Sequence, residues 1–422
     1  MSNTFAPHIH RSLRSGAEPR KSVLSNGLRL VTEHVPGIHS LSIGVWIDAG
    51  SRDEDAAING ISHFIEHMVF KGTKRRRTHH IAQYLETVGG YLNAYTTKDG
   101  TCYYARVLQP HLGRSVDLLA DLVINATLPE REIEKEKQVI IEEMRGADDD
   151  PEDQIHDRFE ELLYGKHPLG QPVIGREATV RALNRDVLQE FIQKHYIAEN
   201  TVVTAAGAID HDELLAMCER EFALLPRGTA VRRRKPARVK SGEDSCARAV
   251  QQSHIVIGNV ADGYARDTRM ALQVFSALLG EGMSSRLFQR IRERHGYAYN
   301  VYSFVNSYVD VSTLGVYLGV EQGREQRSRE LVLREIEDLA TTPVSLRELN
   351  RAREQVIGGM LLGLESMSSR MTRLGRDELG LGKDVSLETL LHGIRQLTAS
   401  DIQAQAAAFL NGSGPSTAIV HP

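Results

Sequence analysis

The sequence predicts an α+β protein that consists of two homologous α/β domains produced by an internal duplication. Segments in which apolar residues alternate, as in strands, are mixed with segments in which they recur at helical spacing. Residues 132–144 are similar to residues 348–360 at a constant offset of 216. Residues 183–207 are likewise similar to residues 397–420, and each segment reads as an amphipathic helix followed by an apolar strand.

Length and composition agree with two domains and exclude several classes of protein. A chain of 422 residues exceeds what one hydrophobic core usually organises. Its net charge of −4 lacks the basic excess of nucleic-acid-binding domains, and no apolar run is long enough for a membrane helix. Three widely spaced cysteines predict neither a disulfide framework nor a cysteine metal site and are typical of a reducing compartment. We therefore expect no nucleic-acid partner and no membrane partner.

The predicted domain boundaries follow changes in composition. Residues 1–22 are predicted to be a flexible N-terminal tail, residues 23–228 the first domain, residues 229–240, rich in Arg and Pro, a linker, and residues 241–422 the second domain. The tail lacks the apolar core of a secretory signal. Its composition favours a cytoplasmic protein, and a short transit peptide to the mitochondrial matrix is the alternative.

The elements of the first domain can be predicted in order from apolar periodicity and turn residues. Strands are predicted at 24–31, interrupted by an Asn-Gly turn, and at 40–49, 91–97, 101–108 and 201–207. Helices are predicted around residues 61–70 and at 81–88, 111–126, 130–145 and 210–225. The acidic run at 148–150, followed by Pro151, is predicted to end the longest helix.

The helix near residue 65 carries a His-x-x-Glu-His motif formed by His63, Glu66 and His67. Residues three and four apart lie on one helical face, so these side chains converge. Two imidazoles suit Zn²⁺, and a carboxylate that does not bind the metal can accept a proton from water. This order of residues is the inverzincin motif. Such a short pattern also arises by chance, so a third ligand is needed to support a metal site.

The long helix carries three candidate acids, Glu136, Glu142 and Glu143. At 100° per residue, Glu136 and Glu143 are almost eclipsed two turns apart, whereas Glu142 points away from them. In the second copy of the repeat, Ala352 and Gly359 replace Glu136 and Glu143, and no His-x-x-Glu-His motif is present. Only the first domain is therefore predicted to retain metal chemistry.

With these motifs, the chain from Leu24 to Val420 resembles the M16 zinc metallopeptidases (the pitrilysin, insulinase and mitochondrial processing peptidase superfamily), and specifically their short-chain M16B-like branch. The resemblance implies a LuxS/MPP-like metallohydrolase fold that forms half of a clamshell. It also implies that Zn²⁺ is bound by His63, His67 and Glu143, the last of which follows His67 by 76 residues. Glu66 would then act as the catalytic base, and Glu136 would orient a ligand histidine.

A second group of residues also matches the family. Its Leu-Arg-x-x-x-x-x-x-Tyr pattern reads Ile291-Arg292 followed by Tyr299, with Tyr297 as a competing tyrosine. The resemblance implies that Arg292 and Tyr299 donate hydrogen bonds to the developing oxyanion. Without the resemblance, the arginine would be read as an ordinary surface residue and the tyrosine as a core aromatic.

The family pattern Gly-Gly-x-x-Asn-Ala-x-Thr matches residues 89–96. The resemblance implies that Asn93 and Ala94 lie on an edge strand that binds an extended peptide by backbone pairing; an ordinary sheet strand is the alternative. We therefore expect a zinc-dependent endopeptidase that cleaves extended or unfolded segments. The short branch also implies a homodimer whose sites are completed in trans. The alternatives are a catalytic subunit that needs a different partner, and a non-catalytic core or partner subunit of a processing peptidase or respiratory complex.

Overall fold

The computed structural model describes residues 18–230, 234, 237, 239, 241–412 and 414–422. The elements up to residue 221 are β1 (Arg20–Val23), β2 (Arg29–His34), β3 (Ser40–Ile47), α1 (Ile61–Val69), α2 (Thr78–Glu86), β4 (Tyr91–Thr96), β5 (Thr101–Leu108), α3 (Leu112–Asn125), α4 (Glu130–Asp149), α5 (Pro151–Tyr164), α6 (Glu177–Ala182), α7 (Arg185–His195), β6 (Thr201–Gly207) and α8 (His211–Glu221). Those that follow are β7 (Glu243–Ala247), β8 (Ser253–Asp262), α9 (Arg269–Gly280), a π-helical segment (Phe288–Arg294), β9 (Ala298–Ser307), β10 (Val311–Val320), α10 (Glu325–Thr341), α11 (Leu346–Gly363), α12 (Met367–Leu381), α13 (Leu387–Gln396), α14 (Ala399–Leu410) and β11 (Ser416–His421).

The strands form two sheets that share one plan. The first has the order β1-β2-β6-β3-β5-β4, and the second has the order β7-β11-β8-β10-β9. Each contains one parallel pair, β2 with β6 and β11 with β7, and its other neighbouring strands are antiparallel. Helices α11 and α12 begin at residues 346 and 367, each 216 residues after α4 and α5 begin. The repeated plan confirms the predicted fold class of two homologous α/β halves.

The compact units of the structure are not the contiguous segments 23–228 and 241–422 that the sequence predicted. The unit that contains the first sheet includes α12, and the unit that contains the second sheet includes α5. Trp46 of β3 packs against Met371 and Leu374 of α12, and Phe159 of α5 packs against Val256 of β8. Each half of the chain therefore supplies a helix to the other sheet. An amphipathic pattern predicts such a helix but does not show which sheet covers its apolar face.

Two smaller expectations also need correction. The predicted tail, 1–22, is too long, because Arg20 to Ser22 pair with β2 in strand β1. Residues 1–17 and most of the predicted linker 229–240 lie outside the described residues. Helix α4 was predicted to end near Arg145 but continues to Asp149. Asp150 then begins the next helix by accepting a hydrogen bond from the Glu152 amide. Within the described ranges, no helix is both long and apolar enough to span a membrane.

Gly375 on α12 provides a test of this helix exchange. A Cβ at this position would lie 2.2 Å from a ring carbon of Trp46, so we expect Gly375→Ala to destabilise the fold by about 1–3 kcal/mol. Gly359→Ala on α11 is the matched control, because a Cβ there has no neighbour within 4 Å. It should stabilise the protein by up to about 1 kcal/mol through helix propensity. Thermal unfolding of both variants checks this result, and equal shifts of the same sign would contradict the packing.

Candidate metal centre and catalytic site

Helix α1 carries His63, Glu66 and His67 on its one partly exposed face. Its other positions are all buried: one is the small polar Ser62, and the rest are apolar, namely Ile61, Phe64, Ile65, Met68 and Val69. This apolar packing fixes the rotation of the helix about its axis. The two imidazole rings consequently lie 4.6 Å apart, measured between their centroids.

A buried carboxylate holds the start of α1. Glu54 accepts hydrogen bonds from the backbone amides of Gly60, at 2.7 Å, and Ser62, at 2.8 Å, and from the side-chain amide of Asn59, at 3.0 Å. Burial raises the pKa of Glu54 to about 7, although these donors oppose the increase. Glu54 satisfies amides that the first helical turn leaves unpaired, and so it helps to position the histidines. Sequence reasoning missed it, and an acid shortly before the helix is the only signal that could have found it.

Glu143 on α4 completes a group of three possible metal ligands. One ligand atom each from His63, His67 and Glu143 lies within 4.8 Å of the others. Glu142, the neighbouring acid, is exposed and accepts a hydrogen bond from Arg145 at 2.5 Å. The structure thus brings together the three residues that the family resemblance implied, and it places Glu142 on another face of the helix.

Glu136, seven residues before Glu143, fixes the orientation of His67. Its carboxylate contacts His67 Nδ1 at 2.9 Å and the Lys71 ammonium at 2.7 Å. Burial alone would raise the pKa of Glu136, but the bonds from His67 and Lys71 outweigh burial and lower it. An ionised carboxylate only accepts, so Nδ1 of His67 carries the proton and Nε2 is left as the basic nitrogen.

The electrostatics of His63 also suit metal binding. Burial, together with the nearby charge that His67 can carry, lowers the pKa of His63 to about 4. The imidazole is therefore neutral at pH 7, which is the form that binds a metal. Two imidazoles and one carboxylate make up a donor set that Zn²⁺ accepts in catalytic sites. The residues present therefore fit a zinc ion.

Strand β4 lies at the edge of the first sheet, next to α1. The Thr96 hydroxyl donates a hydrogen bond to Glu66 Oε2 at 2.6 Å and so fixes the carboxylate. Asn93 and Ala94 lie on the same strand, and Asn93 Oδ1 accepts the Ala94 amide at 2.9 Å. The Thr97 amide bonds to the Gly100 carbonyl, and amides alternate in direction along an antiparallel strand, so the Ala94 amide points to the open edge and does not pair with β5. The sequence predicted the strand, but not that Thr96 would contact Glu66.

Arg292 and Tyr299 form a second group, on the unit that contains the second sheet. Arg292 lies in the π-helical segment, and its guanidinium carbon is 5.1 Å from the centre of the Tyr299 ring. Tyr299, near the start of β9, is 80% exposed. The competing residue, Tyr297, instead packs beneath Arg324 at 5.1 Å. Of the two tyrosines, Tyr299 is the one that pairs with Arg292.

Comparison with known proteins identifies the family. The sequence model described as "Insulinase (Peptidase family M16)" matches residues 29–177, and the one described as "Peptidase M16 inactive domain" matches residues 182–356. This chain belongs to peptidase family M16. A Mycobacterium tuberculosis protein named as an uncharacterized zinc protease is 41% identical over 402 residues, which cover 93% of this chain and 91% of the relative. The uncharacterized zinc protease YmxG of Bacillus subtilis is 36% identical over 92% of this chain and 94% of its own.

Solved structures share the fold of this M16 chain at low sequence identity. A protease from Helicobacter pylori superposes with a TM-score of 0.90 at 23% identity and covers 96% of this chain and 99% of its own. A chain of complex III2 from Candida albicans superposes with a TM-score of 0.84 at 20% identity, covering 95% of each chain. These likenesses show the fold alone. The fold therefore does not decide between a peptidase and a subunit of a larger complex.

Proposed function

We propose that this M16 protein is a zinc-dependent endopeptidase of the inverzincin type. The observation that carries the proposal is the convergence of His63, His67 and Glu143, with Glu66 on the same helical face as the two histidines. Two imidazoles and a carboxylate are three protein ligands, the number that is usual in catalytic zinc sites. A purely structural zinc site would normally be closed by a fourth protein ligand.

The residues of the chain divide the chemistry between them. Zn²⁺ held by these three ligands would supply Lewis-acid polarisation and would lower the pKa of a water molecule. Glu66, held by Thr96, accepts the proton of the attacking water and returns it to the leaving amine. Glu136 keeps His67 in its binding tautomer, and loss of such a partner typically weakens metal affinity or activity about 10–100-fold. Arg292 and Tyr299 donate to the oxyanion.

Strand β4 is the proposed binding site for the peptide. Its outer edge is not covered by another strand of the described sheet, and the Ala94 amide does not pair with β5. An extended peptide can add to such an edge by backbone hydrogen bonds, with Asn93 and Ala94 nearest the scissile bond. This mode of binding requires a substrate segment without structure of its own. A compartment that keeps Cys102, Cys218 and Cys246 reduced, such as the cytoplasm, suits the enzyme.

We expect the zinc-loaded protein to cleave an unstructured peptide of about 20–30 residues and to leave the same sequence uncut inside a stably folded domain, because β4 can pair only with an extended backbone. Mass spectrometry of the products measures both reactions. A zinc chelator should abolish cleavage, and added Zn²⁺ should restore it. Cleavage that continues unchanged after zinc has been removed would contradict the proposal.

We also propose that two copies of the chain form the active unit, with Arg292 and Tyr299 of one copy serving the zinc site of the other. The proposal rests on the family resemblance and on the location of the two groups in different halves of a duplicated chain. Glu66→Gln and Tyr299→Phe should each be weak or inactive. In a mixed dimer, the zinc site with an intact Glu66 faces an intact tyrosine, so a mixture of the two variants should regain activity.

With random exchange, about half of the dimers are mixed and each has one complete site, so the mixture should reach roughly a quarter of wild-type activity. Native mass spectrometry of isotope-labelled chains verifies the exchange. A mixture that exchanges yet stays inactive would show that Tyr299 serves its own chain or has no role. A heterodimer with a second M16 chain is the competing arrangement, and a homodimer that is inactive by itself would favour it.

The second candidate function is that of a non-catalytic subunit. One structural neighbour is a chain of complex III2, which shows that this fold also occurs within a large assembly. In a non-catalytic chain, the metal motif need not be retained. Here the two histidines, Glu66 and Glu143 are all present, and Glu136 contacts His67. These contacts favour the peptidase.

A further inference from the structure

A cleft outside the proposed peptidase site has the properties of an anion-binding site. It has a volume of about 510 Å³ and lies in the unit that contains the second sheet, where the chain before the π-helical segment meets the start of α11. Its lining includes three arginines and three serines, namely Arg286, Arg347, Arg351, Ser284, Ser285 and Ser345. None of these residues belongs to the proposed catalytic machinery.

The arginines differ in their ion pairing. Arg286 is held by Glu348 at 2.7 Å and by Asp338 at 2.6 Å, so its charge is already balanced. Arg347 and Arg351 are exposed, and neither forms an ion pair with an acid in the part of the chain that the structure describes. They are four residues apart and therefore lie on one face of α11, where like charges repel each other. An anion between them would relieve this repulsion.

The start of α11 adds further attraction for an anion. The helix is 18 residues long, and its N-terminal end carries partial positive charge from its aligned peptide dipoles. Ser345, just before the helix, accepts a hydrogen bond from the Glu348 amide at 3.3 Å. Arg347 and Arg351 extend from the first two turns. Two guanidinium groups beside a helix N-terminus make up a common arrangement for phosphate recognition.

Ser285 provides an independent indication of a ligand. The side chain is 1% exposed, and within the described residues its Oγ has no hydrogen-bond partner. A turn at Gly282, which has a φ of +79°, brings Ser285 into the lining of the cleft. Buried hydroxyls nearly always find a partner, so an unpaired one in a cationic cleft indicates that an acceptor is missing. A phosphoryl oxygen supplies such an acceptor.

We propose that this cleft binds the phosphoryl group of a small phosphorylated molecule. Arg347 and Arg351 provide charged donors, the serine hydroxyls provide neutral donors, and the start of α11 provides a favourable field. Guanidinium groups bind phosphate oxygens through paired hydrogen bonds, which favours phosphate over a simple halide. The phosphoryl group can come from an inorganic polyphosphate or from a nucleotide. The proposal does not depend on peptidase activity.

Calorimetric titration of the full-length, zinc-loaded protein with tripolyphosphate and, separately, with ATP tests the proposal. We expect saturable binding of one anion per chain, weakened about tenfold or more in Arg347→Gln/Arg351→Gln, because a hydrogen bond to a charged group typically contributes that factor. Arg327→Gln/Arg395→Gln removes two exposed charges from other helices of the same unit and should leave affinity within about twofold. Tighter binding of ATP would identify a nucleotide as the source, whereas equal affinities would identify the phosphoryl group alone.

Ser285→Ala keeps every charge and should weaken binding several-fold. This result would distinguish a specific site, in which the hydroxyl contacts the anion, from general attraction to a basic surface. Circular dichroism and the melting temperature check that each variant is folded. Equal weakening in the two double-arginine variants, or no saturable binding to the wild-type chain, would overturn the proposal. Unchanged affinity in Ser285→Ala would also count against the site as described.

Discussion

Glu66→Gln should lower the rate of peptide cleavage by about 10²–10⁴-fold while the protein retains its fold and its zinc. The amide has nearly the shape of the carboxylate but cannot accept the proton of the attacking water. Because His63, His67 and Glu143 are unchanged, metal binding should not be affected. Steady-state hydrolysis of an unstructured peptide, together with zinc content measured on the same sample, checks both parts. Near-normal turnover would show that another group is the base.

Variants at Thr96 provide a graded control for this experiment. Thr96→Val removes the hydroxyl that bonds to Glu66 but keeps the shape of the side chain, so we expect kcat to fall by about tenfold, as for the loss of one hydrogen bond to a charged group. Thr96→Ser retains the hydroxyl and should recover most of the rate. Zinc content should be unchanged in both variants. If Thr96→Ser lost as much activity as Thr96→Val, the cause would be altered packing around residue 96, and not the loss of the hydroxyl that positions Glu66.

Glu143→Ala should lose its zinc and with it all measurable cleavage, whereas Glu142→Ala should retain both. Glu143 lies with His63 and His67, whereas Glu142 is paired with Arg145. The two variants remove the same charge from adjacent residues of one helix, so general electrostatic effects are matched. Elemental analysis after dialysis against a weak chelator measures bound zinc. Zinc loss in Glu142→Ala beside a zinc-loaded Glu143→Ala would overturn the assignment.

The local part of this site could be predicted from sequence because helix geometry is regular. The spacing of His63 and His67 places them on one face whatever surrounds the helix. The same regularity separated Glu143 from Glu142, although the family resemblance was needed to choose between the acids. The repeat at an offset of 216 predicted two similar halves, and the starts of α4 and α11 reproduce that offset.

Contacts between distant elements could not be predicted in this way. Glu54 caps α1 through a bend in the chain, and Thr96 reaches Glu66 from a strand 30 residues away. Neither residue belongs to a repeating sequence pattern that would reveal its role. Each contact forms only because two separate segments of the chain pack together. The exchange of α5 and α12 between the sheets was missed for the same reason. Their apolar faces predict burial, but Trp46, Met371 and Leu374 become neighbours only in three dimensions.

The central claim is that His63, His67 and Glu143 bind a catalytic zinc ion. X-ray absorption at the zinc edge of the zinc-loaded wild-type protein tests this claim directly, without any substitution. The structure predicts nitrogen and oxygen ligands only, at about 2.0–2.2 Å, with the scattering pattern of two imidazoles. A sulfur ligand at about 2.3 Å would place the ion at Cys102, Cys218 or Cys246 and would contradict the claim. A protein that binds no zinc under these conditions would contradict it equally.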